Sequence, residues 1–165
     1  MMVKTIPLTL GKVALVDDED YDELNKFKWY AHKDHNWERW YVVRHEYVNR
    51  KQKTILMHQQ ITGFKHKMID HVDRDGLNNK KSNLRPCTQS QNAKNRSMLK
   101  NNTSGLRGVH YDKKRKKWIA QIEKDEKGIY LGGFIDKEDA GRAVDKKSKE
   151  LYGEFVILNF PEEKK

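Results

Sequence analysis

Asp70 and His71 stand side by side near the head of the stretch IDHVDRDGLNNKKSNLRPCTQSQN, which runs from Ile69 and also carries Asn83 and Asn92. An imidazole of ordinary pKa, ~6.5, can take a proton from water near neutral pH. A carboxylate from Asp70 and an amide oxygen from Asn92 are hard oxygen ligands, suited to a magnesium-like ion that polarises a phosphate and steadies a leaving oxygen. Asn83 could hold the imidazole in one tautomer. Together these groups have the chemistry of phosphodiester cleavage. The same residues also read as a polar loop whose asparagines cap turns and helices, and a quartet of this size arises by chance.

The elements that must position these residues follow from the local pattern. Ile69 to Val72 is a short β-prone run, and Asp73 to Asn79, with Asp75-Gly76 inside it, is dense in turn-forming residues. Leu84 to Cys87 can return as a strand. Thr88 with Gln91 three residues later has the form of a capping box, so a helix should start there and run through Asn92, Asn95 and Arg96. The expected unit is a ββα hairpin. Neighbours on a regular strand point to opposite faces, so Asp70 and His71 converge only if the strand ends or distorts there.

Asp70-His71, the DxDGxNN turn from Asp73 to Asn79, Ser82-Asn83-Leu84-Arg85 and the helical Asn92 closely resemble the HNH homing endonucleases of phages, in the variant whose last motif position is asparagine. The resemblance implies that His71 is the general base and that Asp70 and Asn92 hold one divalent metal, magnesium first and manganese as the alternative. It gives Asn83 the task of orienting the histidine. His58, in the run ILMHQQI, falls where many relatives also carry histidine, and it reads equally as a structural residue or a phosphate contact. Arg85 and Arg96 are candidate phosphate contacts.

Composition sets the limits around this stretch. The chain has 165 residues, of which 36% are hydrophobic, so no single large core is expected. Its net charge of +10 points to a polyanionic partner. Residues 1–25 carry a net −4, residues 26–99 carry +10 and residues 100–165 carry +4, so the surplus coincides with the catalytic candidate. The single cysteine, Cys87, allows no intramolecular disulfide and no multi-cysteine zinc site. No apolar run is long enough to span a membrane and MMVKTIPLTLGK is not a signal peptide, so a cytoplasmic location is expected.

The acidic start has its own pattern. Val13 to Val16 is a short strand, and DDEDYDELNKF can open a helix with acids at its positive end, with Leu24, Phe27 and Trp29 on its core side. Phe27 to Ala31, Trp40 to His45 and Thr54 to Met57 read as three strands, the last two joined by a turn near Asn49-Arg50-Lys51. Trp29, Tyr30, Trp37, Trp40 and Tyr41 then form a compact aromatic core, with base stacking as the other reading. The polar run SMLKNNTS marks the boundary: a nuclease domain over 1–96, its ββα core about 55–96, a linker over 97–104 and a second module over 105–161.

In that module Trp118, Ala120 and Ile122 alternate with Lys117, Ile119, Gln121 and Glu123, the period of a half-buried strand. Val109 to Asp112 and Gly128 to Phe134 flank it, separated by turns at Lys113 to Lys116 and Asp125 to Gly128. Asp136 can cap a helix through Lys149 whose Ala140, Ala143, Val144 and Leu151 cover the sheet. The other face presents Arg107, His110, Lys117, Gln121 and Tyr130, with Arg115 in the turn beside it. A solvated face and a surface for a DNA major groove both fit this set.

SGLRGVHYDKKRKKWIAQI, YLGGF, KEDAGRAVDK and YGEFVILNFP resemble the ethylene-response-factor (Apetala-type) DNA-binding domain over residues 103 to 161. The resemblance implies a three-stranded sheet on one helix with its free face in the major groove and Arg107 on DNA. His110 and Gly128 replace arginines of plant members and Glu123 places an acid on the binding face, so plant target sequences do not transfer. The whole chain is thus expected to be α+β: a small antiparallel sheet, a ββα-metal hairpin, then a three-stranded antiparallel sheet on one helix. The combination resembles mobile endonucleases encoded by phages and prophages acting on double-stranded DNA in a bacterial host, with no membrane and no obligate protein partner. The alternatives are a non-catalytic sequence-specific DNA-binding regulator and an RNA-binding protein, although the sheet lacks the aromatic pair of an RNA-recognition surface.

Overall fold

The computed structural model describes residues 2–34, 39–95, 98, 102–124 and 127–161. Trp37, Arg96, part of the 97–104 linker and part of the Asp125–Gly128 turn lie outside them. The fold is α+β, built from small antiparallel sheets and short helices. Among the described residues no helix is long and apolar enough to cross a membrane. The chain divides into two compact units, 1–89 and 90–165.

In the first unit β1 (Val3–Pro7) pairs with β2 (Val13–Asp17), and α1 (Asp18–Leu24) follows with Asp18, Glu19 and Asp20 in its first turn, where the helix dipole favours acids. The second sheet has the order β3 (Tyr30–Asp34), β4 (Arg39–Val48), β5 (Lys51–Leu56), and α2 (Met57–Ile61) leaves its end. Asn49 and Arg50 join β4 to β5 with φ of 51° and 62°, the left-handed pair that matches strand twist in a two-residue hairpin. The first of the three strands is displaced from the expected Phe27–Ala31.

Among the described residues the core of this unit is mainly aliphatic: Ile6, Ala14, Val16, Leu24, Val42, Ile55 and Met57 surround the buried Trp29. The expected aromatic core is therefore corrected. Tyr30, Trp40 and Tyr41 are half-buried, and Lys12 lies 4.3 Å over the Trp40 ring. Phe27 stands 40% exposed, because the Arg44 guanidinium 4.2 Å away shields its ring in place of apolar packing.

β6 (Ile69–His71) and β7 (Leu84–Pro86) form the short antiparallel pair expected from the sequence, and α3 (Gln89–Lys94) begins directly after Thr88. The division between units falls at the start of α3, ahead of the expected boundary after residue 96. Within the second unit, Lys94 Nζ donates to the Glu123 carbonyl (3.0 Å) and lies 5.1 Å over the Tyr152 ring, which ties α3 to that unit.

The second unit contains the sheet β8 (Val109–Asp112), β9 (Lys117–Lys124), β10 (Lys127–Phe134) in the spatial order β10-β9-β8, with α4 (Lys137–Tyr152) packed on one face. Asp136 caps α4, accepting from the backbone N–H of Glu138 (2.6 Å) and Asp139 (3.1 Å). Val109, Ala120, Ala140 and Val144 form the core, and Gly141 lets the helix approach, since a Cβ there would lie 2.7 Å from the Phe160 ring. The buried Asp145 accepts from the backbone N–H of Asn159 and Phe160, both at 2.8 Å, and so fixes the closing segment on α4.

Candidate active site

The turn from Asp73 to Asn79 is held from inside and from outside. Asp73 Oδ1 accepts from the Asp75 N–H (2.9 Å) and Asn83 Nδ2 (2.8 Å), while its Oδ2 accepts from Asn78 Nδ2 (2.6 Å). Burial raises the Asp73 carboxyl, but these hydrogen bonds outweigh it and hold the group below its ordinary value. From outside, β2 docks on the turn: Leu15 N–H donates to the Leu77 carbonyl (2.9 Å) and Asn79 N–H to the Leu15 carbonyl (2.8 Å). Gly76 is required here. A Cβ would collide with the Trp40 carbonyl oxygen and lie 2.8 Å from Tyr41 Cδ1.

The acidic start completes the frame. Asp17 Oδ2 accepts from the Lys81 N–H (2.7 Å), and Lys81 Nζ lies 2.7 Å from Glu19 and 3.0 Å from Asp20. These bonds fix the turn of helix at 81–83 that precedes β7.

His71, 5% exposed, ends β6 and faces the turn. Its Nε2 lies 3.5 Å from Asn79 Oδ1, at the outer limit of hydrogen bonding. Asn79 is fully buried, and its Nδ2 donates to the Gly76 carbonyl (3.2 Å), which fixes the amide with its oxygen toward the ring. An amide oxygen so turned can only accept, so it favours the tautomer that carries the proton on Nε2. Burial lowers the His71 pKa, offset in part by Asn79 and by the charges of Asp73, Asp70 and Asp75. The ring is neutral at physiological pH.

Asn83, expected to orient the imidazole, is seen in bonds to the turn: Nδ2 donates to Asp73 Oδ1 and to the Asn78 carbonyl (2.8 Å each), and Oδ1 accepts from the Asp73 N–H (2.9 Å). The amide that the hydrogen bonds place against His71 is Asn79. The sequence reading missed it, although Asn79 closes the DxDGxNN signature.

His58, which the sequence left open between a structural role and a phosphate contact, is a second neighbour of His71. Carried on α2, its ring meets that of His71 edge-on, with centroids 5.0 Å apart and planes at 85°, and Tyr41 packs against both rings. His58 is 6% exposed and its Nδ1 is buried with no hydrogen-bond partner among the described residues. Burial first, and the neighbouring His71 second, push its pKa down to about 3. Two buried imidazoles with lowered pKa values thus lie against one another.

Asp70, 3% exposed, points across the ladder to its register partner Arg85, whose Nε and Nη2 donate to Oδ2 at 3.0 and 2.8 Å. The arginine expected on phosphate is engaged with the carboxylate expected on metal. Asn92 is half-buried on α3, in the second unit. Among the described residues no three His, Cys, Asp or Glu side chains cluster as a metal set. A carboxylate and an amide oxygen are hard donors, of the kind that magnesium-like ions take together with water and phosphate oxygens.

The second candidate surface is the free face of the β8–β10 sheet. His110, Lys117, Gln121 and Tyr130 are exposed on it, and Gln121 pairs with Tyr130 across the ladder. Arg115, in the turn, lies 3.7 Å from Asp112 with its side chain 67% exposed. Arg107 is half-buried, its backbone N–H donating to Asn159 Oδ1 (2.6 Å). Ile119 belongs to this face by alternation but is 5% exposed, because Lys117 Cδ, Tyr130 Oη and Ile119 Cδ1 converge over Gly133, each 3.3 to 3.4 Å from where its Cβ would be.

Comparison with known proteins adds a lineage to this geometry. The chain is 37% identical over 88 residues to protein 3.8 of Escherichia phage T7, an alignment that covers 53% of this chain and 72% of that protein. The chain belongs to the family of phage T7 protein 3.8. A more distant relative extends the match along the chain: an uncharacterized HNH endonuclease of Acanthamoeba polyphaga mimivirus is 27% identical over 149 residues, 90% of this chain and 75% of the relative. No protein-family model and no solved structure matches.

Proposed function

We propose that this protein is a metal-dependent DNA endonuclease of the HNH homing type that hydrolyses a phosphodiester bond with a histidine general base and one divalent metal. The observation that carries the reading is His71: a neutral imidazole whose Nε2 faces the fixed Asn79 oxygen, leaving Nδ1 as proton acceptor at the end of β6. The distant relationship to a viral protein named as an HNH endonuclease supports the same chemistry.

In this reading His71 Nδ1 takes the proton of the attacking water, and the Asn79 oxygen stabilises the imidazolium that forms. A divalent ion held by Asp70 and Asn92, magnesium or manganese, would supply the charge that polarises the phosphate and steadies the leaving oxygen. Arg85 fixes the rotamer of the Asp70 carboxylate through its two N–H donors. His58 and Tyr41 exclude water from the side of the His71 ring that they cover. The second unit, with Arg107, His110, Arg115, Lys117, Gln121 and Tyr130, brings the chain to duplex DNA in the manner of an ethylene-response-factor sheet. Arg96 is an additional phosphate contact.

The engagement of Asp70 by Arg85 favours one other reading, a non-catalytic DNA-binding protein in which this carboxylate is structural. Conversion of supercoiled plasmid to nicked circles, with magnesium, manganese or EDTA, for wild type and His71→Ala, separates the two. Metal-dependent nicking that is lost in His71→Ala is expected. Salt-sensitive duplex binding with no cutting in either metal would establish the non-catalytic reading.

A further inference from the structure

The β4–β5 hairpin departs from the rule that a strand buries alternate residues. At its base Val42, Val43 and Ile55 are in the core, but from the His45–Thr54 pair outward both faces are bare. His45 and all residues from Tyr47 to Thr54 are exposed, with Glu46 alone half-buried. Tyr47 is 73% and Val48 50% exposed, near the tip. A two-stranded ribbon that buries neither face gains little stability from packing. It is stiffened instead by its left-handed turn, by Thr54 Oγ1 with His45 Nδ1 at 3.2 Å, and by Glu46 between Arg44 (3.2 Å) and Lys53 (3.7 Å).

Cross-strand partners share a face, so the register sorts the side chains. One face carries His45, Tyr47, Gln52 and Thr54, all able to hydrogen-bond. The other carries Glu46, Val48, Lys51 and Lys53, and Arg50 occupies the turn. The projecting part thus has three cations against a single acid, and that acid is already ion-paired. A two-stranded ribbon fits the B-form major groove, about 12 Å wide, where tyrosine, glutamine, histidine and threonine meet base edges and lysines meet phosphates. The deep, narrow major groove of A-form RNA does not admit it.

We propose that the β4–β5 ribbon is a DNA-contact element of the first unit that enters the major groove independently of the C-terminal sheet. The proposal takes duplex DNA from the nuclease reading and adds the element that grips it. Its test is anisotropy of a short random-sequence DNA duplex and the matching RNA duplex, in EDTA across a salt series, with the full chain and the variants Lys51→Gln/Lys53→Gln and Tyr47→Ser. Circular dichroism establishes that each variant is folded.

The lysine pair should lower the slope of log affinity against log salt by about 1.8, two phosphate contacts at about 0.9 each. Tyr47→Ser should weaken DNA binding severalfold with the slope unchanged. Equal slope and affinity in wild type and both variants would overturn the proposal, as would wild-type failure to bind the DNA duplex or equal binding of RNA. So would a self-association lost in Tyr47→Ser with DNA binding intact, since the ribbon would then be a protein interface. The plasmid assay keeps the two readings apart: unchanged binding by the variants of a wild type that cuts removes the ribbon alone, and ribbon-dependent binding without cutting removes the nuclease alone.

Discussion

His58 makes a quantitative prediction because its environment opposes protonation so strongly. Its ring is 6% exposed, its Nδ1 has no partner among the described residues, and its pKa falls to about 3 from an ordinary 6.5. Folding therefore excludes a proton that the unfolded chain binds. The stability this neutral histidine contributes is complete above the unfolded value, near 6.5, and is lost progressively as pH falls toward the folded value, near 3. At about pH 5 the loss covers about one and a half units, and at ~1.36 kcal/mol per unit this is ~2 kcal/mol relative to about pH 8. His71, whose pKa is also lowered, acts in the same direction. Asp73, with a lowered carboxyl pKa, loses its contribution only below the ordinary carboxylate value of 3.8, outside this window.

The assay is urea unfolding of the full chain at the two pH values, followed at the Trp29 indole N–H resonance. That indole is 2% exposed and donates to the Leu24 carbonyl at 2.8 Å, so it reports the first unit alone. His58→Met keeps the volume without the titrating group. Wild type should lose ~2 kcal/mol or more between about pH 8 and about pH 5, and the variant should lose ~2 kcal/mol less than wild type does. The reasoning is refuted if both lose the same amount, or if the His58 ring protons titrate near 6.5 in the folded protein.

Two further perturbations test the frame. Gly76→Ala places a methyl against the Trp40 carbonyl and the Tyr41 ring, so the turn must lift from β4; a loss of about 1–3 kcal/mol in urea unfolding is expected, with loss of any cleavage, because Asn79 moves with the turn. Arg85→Met deprives a buried carboxylate of its guanidinium and should cost about 3–5 kcal/mol, with most of it recovered in Asp70→Asn/Arg85→Met. An unchanged salt slope of DNA binding in the double variant would assign Arg85 to Asp70 and not to phosphate.

The parts of this fold that were legible in the sequence are those set by near neighbours. The alternation through Trp118, Ala120 and Ile122, the Asp136 cap and the turn at Asn49-Arg50 each specify a conformation within a few residues, and β9, α4 and the β4–β5 hairpin follow. What escaped depends on distant partners. β1 has a Pro at its end and little alternation, and is a strand because β2 pairs with it. α2 lies in the β-prone run ILMHQQI yet turns helical at Met57, which the core holds fully buried. No local signal placed α3 with the second unit, since Lys94 reaches a carbonyl 29 positions along the chain. The same limit governs the site: which asparagine faces His71 is decided by β2 fixing the turn, and Leu15 carries no mark of that task.

The sequence raised an apparent obstacle, that Asp70 and His71 are adjacent on a strand and so face apart. The structure keeps that separation: Asp70 meets Arg85 across the ladder, while His71 meets Asn79, His58 and Tyr41. For the in-line displacement proposed above the separation is useful. Attacking water and leaving oxygen lie on opposite sides of the transferred group, so a base for one and a ligand set for the other must approach from two directions. Two consecutive strand residues supply two directions without distortion, and both are rigid here because each side chain is buried among its own partners. The short pairing of β6 with β7 and the pinned turn then explain one another: the ladder fixes the carboxylate, and the turn fixes the imidazole.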